Sequence, residues 1–363
     1  VLVVGGGLVG LAVAWELLRH GLAVELIDPG LDQADLSATG SSSGSQAALG
    51  VLMAQVFHRS SGRAWRLRQQ SHQLWQEWLS TLQERGHRLH RRHGLLLLAA
   101  SPEELEHQQR LVVQRQRQGI SLHSRDLPWL RGLRPSLPAA ALGGLQSPGD
   151  GQLDPRAVLA ALWCEAWAAG LQTSRDTVRA LERSGSDWQV HCQSGNSRQA
   201  CWLVLSAGVA SAGLLAGLGH QLPMEPVLGQ ALELELAETP PWEQGEHPWP
   251  GAVVWRGINV VPRPDLPGGG RFWLGATLEP GDQPSASALA HLRSWGAAEL
   301  SWLERAQVVR QWQGLRCRPV GRPAPLLEQL EPGLLLVSGH YRNGVLLAPA
   351  SAAWARDQIL AGR

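Results

Sequence analysis

A chain of 363 residues can bury a large core and has room for two domains or one elaborated one. A formal net charge of +1 with 17% charged residues gives no reason to expect a nucleic-acid partner, and because the chain contains Arg but no Lys, lysine Schiff-base and lysine-anchored pyridoxal chemistry are excluded. Cys164, Cys192, Cys201 and Cys317 lie too far apart for a zinc ribbon or disulfide framework, and the longest apolar run, Leu95 to Ala100, cannot cross a bilayer, so the pattern predicts a cytoplasmic protein with no metal and no membrane span.

The chain opens on the strand Val1 to Val4, the turn Gly5-Gly6-Gly7-Leu8-Val9-Gly10, a helix, and a second strand, Ala23 to Ile27, that runs into Asp28. This is the order of a dinucleotide-binding βαβ unit. Gly5 turns the chain tightly, Gly7 admits a pyrophosphate close to the backbone, and Gly10 lets the helix pack on the strand, so that phosphates sit at a helix N-terminus. Leu8, Leu11, Trp15 and Leu18 predict one buried stripe, and Gly21 ends the helix. Asp28 stands about 20 residues past the turn, where an acid reaches a ribose hydroxyl. The turn specifies a dinucleotide without saying which.

Ser37 to Gly50 is small and polar, and reads either as a surface loop or as a segment lying against the cofactor through close backbone approach. Residues 62 to 85 predict a long helix with Leu67, Leu74, Trp78 and Leu82 turned inward, ended by Gly86. His87, His90 and His93 are crowded by Arg85, Arg88, Arg91 and Arg92, which repel a cation, so they read as a solvated basic face. Gly94 to Ala99 predicts a strand, and Ser101-Pro102-Glu103-Glu104 opens a helix running to Gly119. Pro128, Pro135, Pro138 and Pro148 mark a return between domains.

Asp154-Pro155 caps a further helix, and strands follow around Val178 to Glu182 and Trp188 to Cys192. The apolar strand Trp202 to Leu205 then runs into Ser206-Ala207-Gly208, which suits a second approach to the cofactor. Residues 223 to 278 predict the antiparallel sheet of a substrate domain, with the proline-rich patches at 239 to 250 and 262 to 267 as loops. Most of the 17 Trp are expected in the core or half-buried rather than forming a binding platform.

Near the end the chain reads Ser338-Gly339-His340-Tyr341-Arg342-Asn343-Gly344-Val345-Leu346-Leu347-Ala348-Pro349. Here it resembles the FAD-dependent D-amino-acid oxidase and sarcosine oxidase family, and within it the glycine oxidases of thiamine biosynthesis. Supporting blocks are the opening turn, Ser45 to Leu52, Gly151 to Pro155, Pro226 to Gln230, Val261-Pro262-Arg263, Gly275-Ala276-Thr277 and Trp312 to Arg316. Their order covers essentially the whole chain.

The resemblance implies an α/β fold with a discontinuous Rossmann-like FAD-binding domain (1–80, 145–220 and 312–363) and a second, mostly antiparallel sheet substrate domain (81–144 and 221–311). It implies Gly5, Gly7, Leu8, Val9 and Gly10 at the pyrophosphate and Asp28 with Pro29 at the adenosine ribose. Gly44, Ser45, Leu49, Gly50 and Val51 would lie along the flavin, with Val178 at the adenine end. The segment His340, Tyr341, Arg342, Asn343, Gly344, Val345 and Leu346 would wrap the isoalloxazine; a helix starting near Gly344 aims its dipole at the edge where reduced flavin carries negative charge.

Arg316 would bind the substrate carboxylate at two points, assisted by Arg342. The implied reaction moves a hydride from the α-carbon of a small amino acid, most simply glycine, to the flavin, leaving an imine; O2 then yields hydrogen peroxide. No side-chain acid–base catalyst is required, because flavin carries the chemistry. A thiazole synthase is the implied protein partner and a homo-oligomer the implied assembly.

The chain departs from the glycine-oxidase pattern at Asn259, where Tyr commonly helps hold the carboxylate; the amide is shorter and leaves a larger pocket. Cys317, Arg318 and Gly321 replace the usual Pro and downstream Asp, and Ala210 stands for a usual Trp. These changes open two alternatives: an oxidase or dehydrogenase of another amine such as sarcosine or a D-amino acid, and a weakly active FAD-binding partner of a thiazole synthase.

Overall fold

The computed structural model describes residues 1–31, 43–238, 245–266 and 270–362. Ser37 to Ser42 of the small-residue loop, residues 239–244 of one proline-rich patch and Pro267 of the other lie outside the described residues. The opening βαβ unit lies within a six-stranded sheet whose spatial order is Leu326–Glu331, Leu334–Ser338, Leu203–Leu205, Leu2–Val4, Glu25–Ile27 and Gln172–Ser174. All neighbours are parallel except the first pair, a hairpin. The chain leaves Leu2–Val4 to one side for Glu25–Ile27 and later takes up the other side with Leu203–Leu205. That reversal makes a crevice at the strands' carboxyl ends, where α/β sheets bind ligands.

The helix Leu8–Arg19 corrects the expected stripe. Ala12, Val13, Ala14 and Leu17 are as fully buried as Leu11 and Trp15. The cause is packing on several sides, by the sheet, by the helix Pro155–Ala168 and by the C-terminal helix Gly344–Ala361.

The larger sheet runs Glu279–Pro280, Met224–Glu235, Arg271–Gly275, Ile258–Pro262, Ala252–Trp255, Arg92–Ala99, Gly143–Gln152 and Val51–Leu52, with Gln307–Pro319 paired along Met224–Glu235 and His123–Arg125 along Gly143–Gln152. It is antiparallel except where Ala252–Trp255 meets Arg92–Ala99. The strands Gly143–Gln152 and Gln307–Pro319 cross the boundaries drawn at 145 and 312, since both pair within this sheet. A three-stranded meander, Val178–Ser184, Asp187–Cys192 and Ser197–Ala200, follows the last parallel strand.

The basic face at 85–93 is less solvated than expected. Arg85 and His87 both bond Glu165, and Arg91 Nη2 donates to the Gly149 carbonyl at 2.7 Å. Among the described residues no three His, Cys, Asp or Glu gather as a metal would require, and no helix is long and apolar enough to cross a membrane.

The C-terminal helix is held by side chains that sequence gave no reason to single out. Pro349 lies inside it and brings no N–H for the Val345 carbonyl. Trp75 of the helix Gly62–Glu84 fills that place: its indole N–H lies 3.1 Å from the Val345 oxygen and 3.0 Å from that of Leu346. Ser71 Oγ donates to Leu346 O at 2.6 Å and accepts from Ala350 N at 3.2 Å. Trp15, Trp75 and Trp78 pack edge-to-face behind this joint. Trp75→Phe, which orphans a buried carbonyl, is expected to cost about 1–3 kcal/mol in chemical denaturation. Trp167→Phe, on a side chain that is 55% exposed, should cost little.

Candidate active site

The glycine turn is assembled by close backbone packing. Gly5 has φ +108°, and a Cβ there would lie 2.5 Å from the Ser206 carbonyl oxygen. A Cβ on Gly10 would fall 1.9 Å from the Gly5 oxygen. Gly7 begins the helix without a side-chain cap of its own. Instead Ser45 Oγ accepts from Leu8 N at 2.8 Å, so the structure brings the turn and the 43–50 loop together. Asp28 accepts from Gly6 N at 2.7 Å through one oxygen and from Gly30 N at 2.8 Å through the other. Each oxygen keeps a lone pair for a ligand hydroxyl. Asp28 N in turn reaches Ser174 O, and Val178 begins the meander four residues on.

Residues 43–50 are a packed connector rather than a free surface loop. Gly44 and Gly314 let this segment cross the strand Gln307–Pro319 at the distance of bare backbone, and Trp312 Nε1 donates to Ala47 O at 3.0 Å. Gly50, at φ +72°, accepts at its carbonyl from the Leu153 N–H at 3.0 Å. Leu49 touches the space above Gly275, and Val51 pairs with Gln152.

From the other side, Leu334–Ser338 ends at Gly339, φ +65°, and the chain turns through Tyr341, φ +54°, into the helix that starts at Gly344. His340 is buried with its Nε2 2.9 Å from Ser351 Oγ, and burial pulls its pKa down to about 4, so it is neutral at physiological pH. Arg342 stands exposed on this turn, whereas Val345 and Leu346 are buried.

Arg316 projects from Gln307–Pro319 onto the facing strand, where its guanidinium lies over Gly229; a Cβ there would overlap it. Its Nη1 donates to Thr277 O at 3.1 Å and Leu228 O at 3.3 Å. Among the described residues Nε and Nη2 bond nothing and no carboxylate pairs with the guanidinium. Burial, with Arg342 nearby, holds it below the ordinary arginine range. The Thr277 carbonyl is itself fixed, because Thr277 Oγ1 accepts from Gln230 N at 2.7 Å and bonds the buried Glu279 carboxylate. Gln230 Nε2 and Ser285 N hold that carboxylate at 3.0 and 2.7 Å. These bonds keep Glu279 below the usual carboxylate range despite its burial.

Asn259 is buried and donates its amide N–H to Gly275 O at 3.1 Å. Gly229, Thr277 and Glu279 were not singled out in the sequence. Gly229 and Thr277 stood inside recognisable blocks with no role attached, and nothing marked Glu279.

The family model described as FAD dependent oxidoreductase matches residues 1–358. A glycine oxidase of Geobacillus kaustophilus is 30% identical over 371 residues, spanning 99% of this chain and 92% of that protein. A crystal structure of glycine oxidase from Geobacillus kaustophilus superposes with a TM-score of 0.85 at 28% identity, covering 99% of this chain and 94% of that one. A Synechocystis protein named bifunctional protein ThiO/ThiG is 31% identical over 375 residues; the match takes in 99% of this chain and 51% of that protein, so the chain spans about half its length.

Proposed function

The chain belongs to the FAD-dependent oxidoreductase family that includes the glycine oxidases, an enzyme family using FAD to oxidise small amines, and from that premise we propose that it oxidises a small amino acid, glycine foremost, to an imine with release of hydrogen peroxide. The observation that carries this reading is the free Nε/Nη2 edge of Arg316, a cation fixed by two carbonyls and offered to a carboxylate.

The residues fit the cofactor. Gly5, Gly7 and Gly10 shape a helix start that suits a pyrophosphate, Leu8 N and Ser45 mark its polar end, and Asp28 offers acceptors for a ribose. Gly44 to Val51 cross the strand Gln307–Pro319, the turn after Gly339 packs against the same strand, and Gly44 to Val51 with His340 to Leu346 would hold the ring system. FAD supplies hydride acceptance there, and the protein supplies orientation and exclusion of water.

Arg316 would hold the carboxylate with Arg342 adding charge. Two cations against one carboxylate favour the uncharged amine, the form from which a hydride can leave. Asn259 supports a second reading, a larger amine such as sarcosine or a D-amino acid, because its side chain is short and one of its two N–H groups is already spent on Gly275. The match to half of a bifunctional relative supports a place beside thiazole synthesis in the thiamine pathway.

Peroxide release from glycine, sarcosine and D-alanine tests the proposal. The expected result is turnover of at least one, with glycine leading. Flavin-loaded protein that oxidises none of them would overturn it.

A further inference from the structure

Glu279 is 9% exposed, and among the described residues neither Arg nor His forms an ion pair with it. The groups that hold it are neutral donors: Thr277 Oγ1, Gln230 Nε2 at 3.0 Å and Ser285 N at 2.7 Å. With these bonds in place the carboxyl sits below its usual range and is ionised at neutral pH. A buried charge held this way has a cost in solvation, and what it holds in return is the floor under Arg316.

Both carbonyls that carry the Arg316 guanidinium lie on backbone tied to this carboxylate. Thr277 is fixed at two further atoms besides its carbonyl: its N donates to Gln230 O at 3.0 Å, and its Oγ1 accepts from Gln230 N at 2.7 Å while giving its proton to Glu279. Leu228, the other carbonyl, stands opposite Glu279 in the pairing of Met224–Glu235 with Glu279–Pro280, and its N–H donates to Gly281 O at 3.1 Å. The carboxylate is moored outside the site as well. Ser285 caps the helix Ala286–Glu299 by accepting from Ala288 N at 3.2 Å, and Gln230 Nε2 also donates to the Ser285 carbonyl at 2.8 Å. Leu292 roots that helix in the core that contains Leu274 and Leu303. A continuous set of bonds thus runs from a packed helix through Glu279 and Thr277 to Arg316.

The junction demands a carboxylate. Three donors converge on it, and a glutamine of the same shape would turn an N–H2 group toward at least one of them. The Gln230 amide cannot turn over to receive that group, because its Nε2 also serves the Ser285 carbonyl. Its placement behind Thr277 matters equally. A carboxylate paired directly with Arg316 would occupy the guanidinium edge that a ligand needs, whereas this one steadies the guanidinium through backbone and leaves Nε and Nη2 open. The two charges still act on each other: Arg316 lowers the Glu279 carboxyl, and Glu279 opposes the repulsion of Arg342 on Arg316.

We propose that Glu279 is a positioning residue for Arg316: through the Thr277 hydroxyl it fixes the carbonyl from which the guanidinium hangs, and so keeps the Nε/Nη2 edge aimed and free for a carboxylate. The proposal rests on the reading of Arg316 as the carboxylate anchor and adds the residue that sets it.

The test uses the flavin-loaded protein and acetate, a carboxylate with no amine to oxidise, with Kd read from the change in flavin absorbance. Glu279→Gln is expected to weaken acetate by about tenfold, the loss of one hydrogen bond to a charged group. Thr277→Val, which cuts the same link and leaves the carboxylate in place, should weaken it by a similar factor, and Thr277→Ser, which restores the hydroxyl, should recover most of the loss. In an Arg316→Leu background Glu279→Gln should change Kd by less than about twofold, because a residue that acts through Arg316 has nothing left to position. An equal tenfold loss in that background would overturn the role. So would unchanged or tighter binding in Glu279→Gln alone, tighter binding being what removal of a bare negative charge near an anion gives. Thr277→Val against Thr277→Ser carries the test if Glu279→Gln does not fold. Acetate binding indifferent to Arg316→Leu removes the anchor and this proposal with it. Acetate weakened by Arg316→Leu but by neither Glu279→Gln nor Thr277→Val leaves the anchor standing and sinks the role of Glu279 alone.

Discussion

Arg316→Leu is expected to raise KM for the proposed amino-acid substrate by about 100-fold while the purified protein stays yellow. The estimate follows from losing a charge-assisted, two-point bond in a site shielded from water, roughly 2–5 kcal/mol at one factor of ten per 1.4 kcal/mol. Flavin retention follows from the anatomy, because the segments proposed to hold FAD are the glycine turn, the 43–51 connector and the turn after Gly339, none of which bonds the guanidinium. Gly229→Ala gives an independent route to the same result. A Cβ there would lie 2.1 Å from Nη2, yet that atom is the end of a flexible side chain, so the guanidinium swings off Leu228 and Thr277 and the fold survives. Steady-state kinetics and the flavin absorbance of both variants check this. A KM left unchanged in Arg316→Leu removes Arg316 as the anchor; bleached protein reassigns it to the cofactor.

The parts of this site legible in the sequence are those whose physics is local. Gly5 and Gly10 show themselves because a strand, a tight turn and a helix start must follow within ten residues, and Asp28 because the βαβ unit fixes its distance. Asp154 was legible as a cap, and its carboxylate does accept from Arg156 N and Ala157 N. What stayed hidden depends on pairing between distant strands and helices. Arg316 meets Leu228 across 88 positions and Trp75 meets Val345 across 270, and no periodicity encodes such a meeting. His87 looked like part of a solvated face because Glu165, which bonds it, comes from another helix 78 positions away.

Gly10→Ala is expected to cost about 3 kcal/mol or more and to release the flavin. One methyl group has this effect because of what it would meet. The new Cβ would stand 1.9 Å from the Gly5 oxygen, well inside contact distance, and that oxygen belongs to backbone at φ +108° already packed on Ser206. Neither atom is the end of a movable side chain, so the helix Leu8–Arg19 must shift by more than an ångström. That helix has nowhere to go: it is enclosed by the sheet and by two other helices, and its residues from Gly10 to Leu17 are buried. A shift there also carries Leu8 N away from Ser45 and the helix start away from the place where a pyrophosphate fits. Gly21→Ala provides the contrast. Gly21 has φ +75° with nothing within 4 Å of a Cβ, so only the left-handed backbone penalty applies, about 1 kcal/mol, and the cofactor should remain. Thermal melting with the ratio of flavin to protein absorbance separates the two. Equal losses in both variants would mean that backbone conformation, rather than the contact between turn and helix, is what Gly10 supplies.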